Sequence, residues 1–342
     1  MKKLIILLIS ITLIILGSLA KYSYDGIFKQ LSNDNIAKLF IIEKGSSVKN
    51  IALNLEDEDL IKDSSLFVLY STVTQNNGNI QAGEYLLSPQ MSTMQILNIL
   101  TKGEINKTTF TILEGWNIDD IANYFEEKKL ATKEEVYDLI GEPTIIENNE
   151  KLNKLIKNFN IDKPNNLSLE GYLFPDTYYI DSRDNLKSIV LKILQNWETK
   201  ITPSLREEIA KQDKTIFEII TVASMIEKEA KTMEDKKLVS DIMWRRLEIK
   251  MPLQICATVL YALREKKSQV YTTDTEIDSP YNTYKYKGLP IGPISNPGMD
   301  SLLAAIYPTQ NNYWYYLSSE EGKIYFSQTL TEHNYKKSIY IK

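Results

Sequence analysis

Cysteine and histidine are nearly missing from this chain: Cys256 and His333 are the only ones in 342 residues. One thiol excludes an intrachain disulfide and the clustered thiolates of a structural zinc or iron–sulfur centre. One imidazole leaves any His-rich metal site, or a conventional Ser-His-Asp arrangement, hanging on a single residue. An excess of positive charge is missing as well. Forty basic against 45 acidic residues give a formal net charge of -5, so the composition offers no reason to expect nucleic-acid binding. Internal repeats and low-complexity tracts are absent too. Chemistry must come mainly from carboxylates, amides and hydroxyls, and no metal or organic cofactor is called for.

What is present is ordinary in bulk, 43% hydrophobic and 25% charged, with room for two or three domains. Twenty-one Tyr and four Trp suit carbohydrate or peptide recognition, and suit a plain core equally well. The strongest single signal is N-terminal. Lys2 and Lys3 precede the uncharged run 4–20, and Tyr22 and Tyr24 come after it. Such a run spans about 25 Å as a helix, enough for a thin bilayer. The lysines favour a cytoplasmic N-terminus and send the rest of the chain outside. Ser18 and Ala20 also fit a signal-peptide cleavage site, but the run is longer than a usual h-region, which favours a retained anchor. No cysteine stands after the run for lipidation.

Residues 1–21 therefore read as a transmembrane anchor and 22–37 as a spacer. From 38 to 104, KLFIIEKG reads as a strand and turn. Next comes a helix capped by Ser46 or Ser47, with Val48, Ile51, Leu53 and Leu55 on its apolar face. A second apolar helix (64–73), a strand (80–89) and a helix closed by Gly103 complete the unit. This order resembles a LysM-like wall-binding module; a small packing domain that merely spaces and orients the larger one is the plain alternative. Residues 105–342 form that larger domain. It has a strand at 108–113 and a helix capped by Asn117 or Asp119 that carries Ile118, Ile121, Ala122 and Phe125. Beyond these lie a loop-rich SLEGYLFPDTYYI (168–180), a nearly all-helical stretch (185–250) and a Pro/Gly/Asn/Tyr-rich piece (271–298). The whole reads as α+β, helical in the centre of the second domain.

Within the helical stretch, TIFEIITVASMIEKEA places Ile216, Ile219, Ile220, Val222, Ala223 and Ile226 on one face. Glu227 falls within that arc, Glu229 on its border, and Lys228 points away. A carboxylate fully inside a core is costly, whereas one on the rim of a cleft is cheaper and has its pKa raised, which suits a general acid. Salt bridges to Arg245 and Arg246 on the next helix are the plain structural alternative, and spacing alone does not choose between them.

Several stretches taken together, VASMIEKEA, WRRLEIKMPLQICATVLYAL, SPYNTYKYKGLPIGPISNPGMDSLLAAIYP, YWYYL and YFSQTLTEH, with SLEGYLFPDTYYI upstream, resemble the YceG-like endolytic murein (peptidoglycan) lytic transglycosylase family over essentially the whole chain. The resemblance implies an enzyme of the cytoplasmic membrane, with its catalytic domain outside. It would cleave glycan strands internally between N-acetylmuramic acid and N-acetylglucosamine without consuming water, leaving a 1,6-anhydro end. It places the catalytic acid/base at Glu229, with Glu227 as second choice or support. It also implies peptidoglycan strands as substrate, the lipid bilayer as a partner through residues 4–20, and cooperation with peptidoglycan synthases in setting strand length. Ordinary glycosidases use two carboxylates; here the muramic C6 hydroxyl would be the nucleophile, so one suffices.

On the same resemblance Glu170, Gln254, Tyr281, Asn282, Tyr284, Ser295, Asn296 and His333 face substrate, with Asp176 beside Glu170. Turn-forming roles for Pro280 and Asn282, and a structural role for a lone histidine, are the plain alternatives. The chain departs from the family in one motif. L-Q-[ST]-D-P-T reads Leu253-Gln254-Ile255-Cys256-Ala257-Thr258 here, without the aspartate, and Arg245 stands where Asn is usual. The altered motif is the one feature favouring a non-catalytic glycan-binding scaffold. A hydrolytic muramidase using the same acid is the other alternative.

Overall fold

An apolar run with no proline builds the first element, α1 (Lys2–Phe28). The computed structural model describes residues 2–33, 37–103, 108–143, 149–180, 184–265, 267, 270–319 and 322–340, with side chains from residue 7 onward. The side chains of Lys2 and Lys3 and of residues 4–6, and part of the expected spacer (34–36), thus lie outside the described residues. The segment Leu7–Phe28 is long and apolar enough to cross a membrane, with a mean hydropathy of 1.6, and Leu13, Ile14 and Leu19 stand exposed. The helix does not end at residue 21. It runs on to Phe28, so the start of the expected spacer is helical. There the Thr93 hydroxyl donates to the Gly26 carbonyl (2.7 Å) and Tyr22 to Asp63 (3.0 Å). These bonds fix the helix end to the small unit after it.

The chain divides into two compact units, residues 1–109 with 179–184, and residues 110–178 with 185–342. In the first, α1 leads into β1 (Lys38–Ile42), α2 (Val48–Asp57), α3 (Ser64–Val73) and β2 (Gly83–Leu87), and α4 (Thr93–Lys102) closes it. β1 and β2 pair antiparallel, with Phe40 opposite Tyr85. Ser47 caps α2, Asp63 caps α3, and Ser92 with Gln95 forms a capping box on α4. Gly103, left-handed at φ 67°, ends α4. The core is Phe40, Ile51, Leu55, Phe67, Tyr85 and Leu97 with their neighbours. On α2 the buried face is Ile51, Ala52 and Leu55. Leu53, expected to be inside, is 41% exposed, because a residue two positions from Ile51 points away from it on a helix.

The second unit begins within β3 (Thr108–Thr111), which pairs with β4 (Thr177–Ile180). Between them lie α5 (Ile118–Glu127), α6 (Lys133–Ile140) and α7 (Glu150–Ile156). Asn117, not Asp119, caps α5, accepting from Asp120 N at 2.9 Å, and all four expected apolar residues of α5 are buried. After β4 come α8 (Leu186–Lys200), α9 (Pro203–Lys211), α10 (Ile216–Glu229), α11 (Met233–Glu248) and α12 (Cys256–Leu263). A long loop leads to α13 (Met299–Ile306), the hairpin β5 (Tyr315–Ser318) and β6 (Ile324–Ser327), and α14 (Leu330–Tyr340).

α10 sits centrally, packed against α9, α11, α12 and α13. Every residue from Ile219 to Ile226 is buried. The expected single apolar face is therefore wrong for this helix, whose middle has no solvent side, and the terminal residues alone reach the surface.

Candidate active site

The last turn of α10 divides its two carboxylates. Glu227 lies in an internal ion bridge: Lys236 Nζ of α11 is 3.3 Å from Oε2, and both side chains are more than nine-tenths buried. The same oxygen accepts from Gly298 N (3.1 Å) and Ser301 Oγ (2.5 Å) at the start of α13. The positive end of α13 and one buried lysine thus hold this anion in place. Lys228 points outward, and its ammonium donates to the Gly115 carbonyl (2.7 Å).

Glu229 is different. It is the final residue of α10, and among the described residues no cation lies within ion-pair distance of it. Burial pushes its pKa up to about 7, against the opposing effect of a hydrogen bond from Tyr316 of β5. The carbonyl-rich end of α10 also disfavours a negative charge there. The side chain is only partly screened from solvent, but dense protein surrounds it. An acid half protonated near neutral pH can give and then recover a proton. The suggested bridges to Arg245 and Arg246 do not form. Arg245 pairs with Asp241 (2.8 Å), and Arg246 donates to the carbonyls of Trp314 (2.9 Å), Pro252 (3.2 Å) and Leu253 (3.0 Å).

Two further side chains come to the same place. Cys256 opens α12, and its exposed sulfur lies 3.0 Å from the Tyr284 hydroxyl. Surrounding protein raises the thiol pKa, and the Glu229 charge raises it further. The turn carrying Tyr284 is stitched to α12 through Thr283, whose hydroxyl accepts from Ile255 N (3.0 Å) and lies 3.0 Å from Thr258 Oγ1. Gln254 is exposed beside this seam, in left-handed backbone at φ 58°. Glu229, Tyr316, Cys256 and Tyr284 form one group, with Gln254 next to it. Tyr316 lies in the YWYYL stretch, where sequence reasoning assigned it no role.

The other expected substrate-facing residues sit elsewhere. Glu170 is buried. It accepts from Ile118 N (3.0 Å) and Tyr261 (3.0 Å) on one oxygen and from Asn296 Nδ2 (2.9 Å) on the other. Burial nevertheless pushes its pKa up to about 8. Asn296 also donates to the Trp116 carbonyl (3.0 Å) and accepts from Leu173 N (2.9 Å). One buried pair thus ties the EGW loop, the EGYLF turn, α12 and the SNPG loop together. Ser295 donates to the Ser224 carbonyl (3.0 Å). Asn282 donates to the carbonyls of Thr275 (2.9 Å) and Ile277 (2.8 Å) and accepts from Tyr284 N (3.0 Å). Tyr281 is buried with its ring 4.8 Å from Tyr261. In this structure the polar atoms of Glu170, Asn282, Ser295 and Asn296 are spent on protein rather than offered outward, so they brace the site. Asp176 accepts from Asn196 (3.0 Å) and pairs with Lys200 (3.3 Å). His333 stacks obliquely on Tyr315 at 5.5 Å, and burial lowers its pKa. Cavities of about 230 and 440 Å³ lie in the small unit and neither touches Glu229.

The sequence matches the model of the YceG-like family over residues 40–338. The chain belongs to the YceG-like family. The resemblance drawn from the six motifs is thereby confirmed. An endolytic murein transglycosylase of Bacillus subtilis is 36% identical over 306 residues, covering 88% of this chain and 84% of that protein. One from Streptococcus pneumoniae is 31% identical over 86% of this chain, which spans only 56% of the pneumococcal protein. The crystal structure of a yceG-like protein from Listeria monocytogenes superposes with a TM-score of 0.60 at 35% identity, covering 88% of this chain and 99% of that one. The mixed, mostly helical architecture with small sheets is thus that of a YceG-like protein.

Proposed function

We propose that this chain is an endolytic murein transglycosylase, with Glu229 as its single acid/base. The carrying observation is the contrast at the end of α10: Glu227 is bridged, whereas Glu229 has no cation partner among the described residues and an acid pKa pushed up to about 7. The proton moves from the Glu229 carboxyl to the glycosidic oxygen as the C1–O4 bond breaks. The resulting carboxylate then takes the proton of the muramic C6 hydroxyl while that oxygen bonds to C1. Acid and base are the same group, no water enters, and the 1,6-anhydro end is the product that balances. The exposure of Gln254 and the place of Tyr284 beside Cys256 support their reading as sugar contacts.

The apolar α1, with Lys2 and Lys3 ahead of its uncharged run 4–20, supports anchoring in the cytoplasmic membrane with the two units outside it. The β1-α2-α3-β2 order supports the LysM-like reading of the small unit as a glycan-holding module. Trimming or ending nascent strands in company with peptidoglycan synthases fits this placement.

The test is digestion of purified glycan strands by the detergent-solubilised chain, with fragments weighed by mass spectrometry. Anhydro-ended fragments are expected. Fragments one water heavier would make the chain a hydrolase, and intact strands would make it a scaffold. Glu229→Gln is expected to abolish turnover and leave the fold intact, since it removes an acid whose ionised form is disfavoured in the folded protein. Activity that survives this change would move the role to Glu227.

A further inference from the structure

We infer that Tyr316 is the positioning residue of this site: its phenol donates to one oxygen of Glu229 and leaves the other to exchange the proton with the sugar. The inference rests on the reading of Glu229 as the acid/base. β5 runs along the end of α10, where the Ser318 hydroxyl reaches the Glu229 carbonyl at 3.4 Å. Tyr316, two residues earlier and on the same side of the strand, is thereby brought to the Glu229 side chain.

The strand is fixed independently of the acid. Tyr316 pairs with Phe326 in the hairpin register. Just upstream, the buried Arg246 guanidinium holds the Trp314 carbonyl with Nε at 2.9 Å and Nη2 at 2.5 Å. The other side of that guanidinium holds the carbonyls of Pro252 and Leu253, which lead into Cys256. One arginine thus sets both the strand that delivers the phenol and the segment on which Cys256 and Gln254 lie.

The chemistry needs such a donor. Once Glu229 has given up its proton it is a carboxylate that no ammonium or guanidinium among the described residues balances. Cys256, beside Tyr284, has its thiol pKa raised by the surrounding protein and supplies no cation there. A phenol on one oxygen stabilises the ionised intermediate and holds the plane of the carboxyl. The second oxygen stays free to receive the proton of the attacking hydroxyl. A donor that favours the charged form lowers an acid's pKa, so its loss is readable.

Turnover of glycan strands by the full chain is measured against pH from about 5 to 9. The acid must begin protonated, so the alkaline limb reports Glu229. In Tyr316→Phe, which keeps the ring, the limb is expected to move up by about half a pH unit or more, the worth of one hydrogen bond. The rate on the acid plateau is expected to fall as well. Site-specific replacement of Tyr316 by 3-fluorotyrosine, a more acidic donor of nearly the same shape, moves the limb the other way and keeps the test alive if the Phe variant folds poorly. A limb that stays put in both proteins overturns the inference, whatever happens to the rate. That failure is distinct from failure of the proposed function, which shows itself as an active Glu229→Gln protein.

Discussion

Glu227 and Glu229 are close neighbours on one helix and far apart in circumstance. Glu227 is matched by an ammonium, a hydroxyl and a main-chain amide, and ties α10 to α11 and α13. Removing it strands the Lys236 ammonium in a nearly water-free position, which costs about 3–5 kcal/mol when one partner of a buried pair is deleted. Glu227→Ala is therefore expected to lower the denaturant midpoint sharply. The protein that remains folded should keep the alkaline limb of the parent, because the acid itself is untouched. A variant as stable as the parent but inactive would contradict this division and make Glu227 a participant in the reaction. Unlike Glu227, Glu229 has little folded-state reason to be charged, which is why it can work as an acid.

At the scale of elements, the site is built by loops that reach α10 from distant parts of the chain. Gly171 shows how tightly. Its φ is +86°, and a Cβ there would lie 2.5 Å from Ile220 Cγ2 and 2.7 Å from Pro293 Cγ. Gly171→Ala must strain the backbone and push apart α10 and the 293–296 loop. A loss of roughly 2–4 kcal/mol is expected in chemical unfolding; a loss under about half of one would mean that the turn can relax. Much of this level was legible in the sequence. The cap at Asn117, the buried face of α5, the closure of α4 at Gly103 and the helical 185–250 stretch all obey local rules, which act over a turn or two. What was not legible is what the motifs do. Asn296 and Glu170 meet across 126 positions, and Asn282 turns back on its own loop. Polar residues in a Gly/Pro-rich stretch look sugar-facing until the carbonyls and amides that consume them are seen. The single apolar face expected for α10 fails for a related reason. A helix wrapped on every side has no face for periodicity to report, so the useful signal was the break in apolarity at its end.

At the scale of the whole molecule, the second unit carries two acids that prefer their neutral form, Glu170 with a pKa pushed up to about 8 and Glu229 with one of about 7. Unfolding returns each to the ordinary carboxyl value near 4.3. Between that value and the folded one, the folded protein holds protons that the unfolded chain has released. Stability is thus fully present in acid and declines as pH rises through 7 and 8, by up to about 1.4 kcal/mol per pH unit for each such group. Denaturant unfolding between about pH 5 and 8.5 is expected to show this fall. In Glu170→Gln the slope should be shallower, since that proton no longer counts. An unchanged slope would mean that Ile118, Tyr261 and Asn296, the three donors around Glu170, keep it ionised in spite of its burial. The two acids then differ in purpose. The neutral preference of Glu170 has no proton acceptor outside the protein and costs stability alone. The same preference in Glu229, at the edge of its helix, is what makes a proton available to a substrate, so activity and stability should weaken together as the medium turns alkaline.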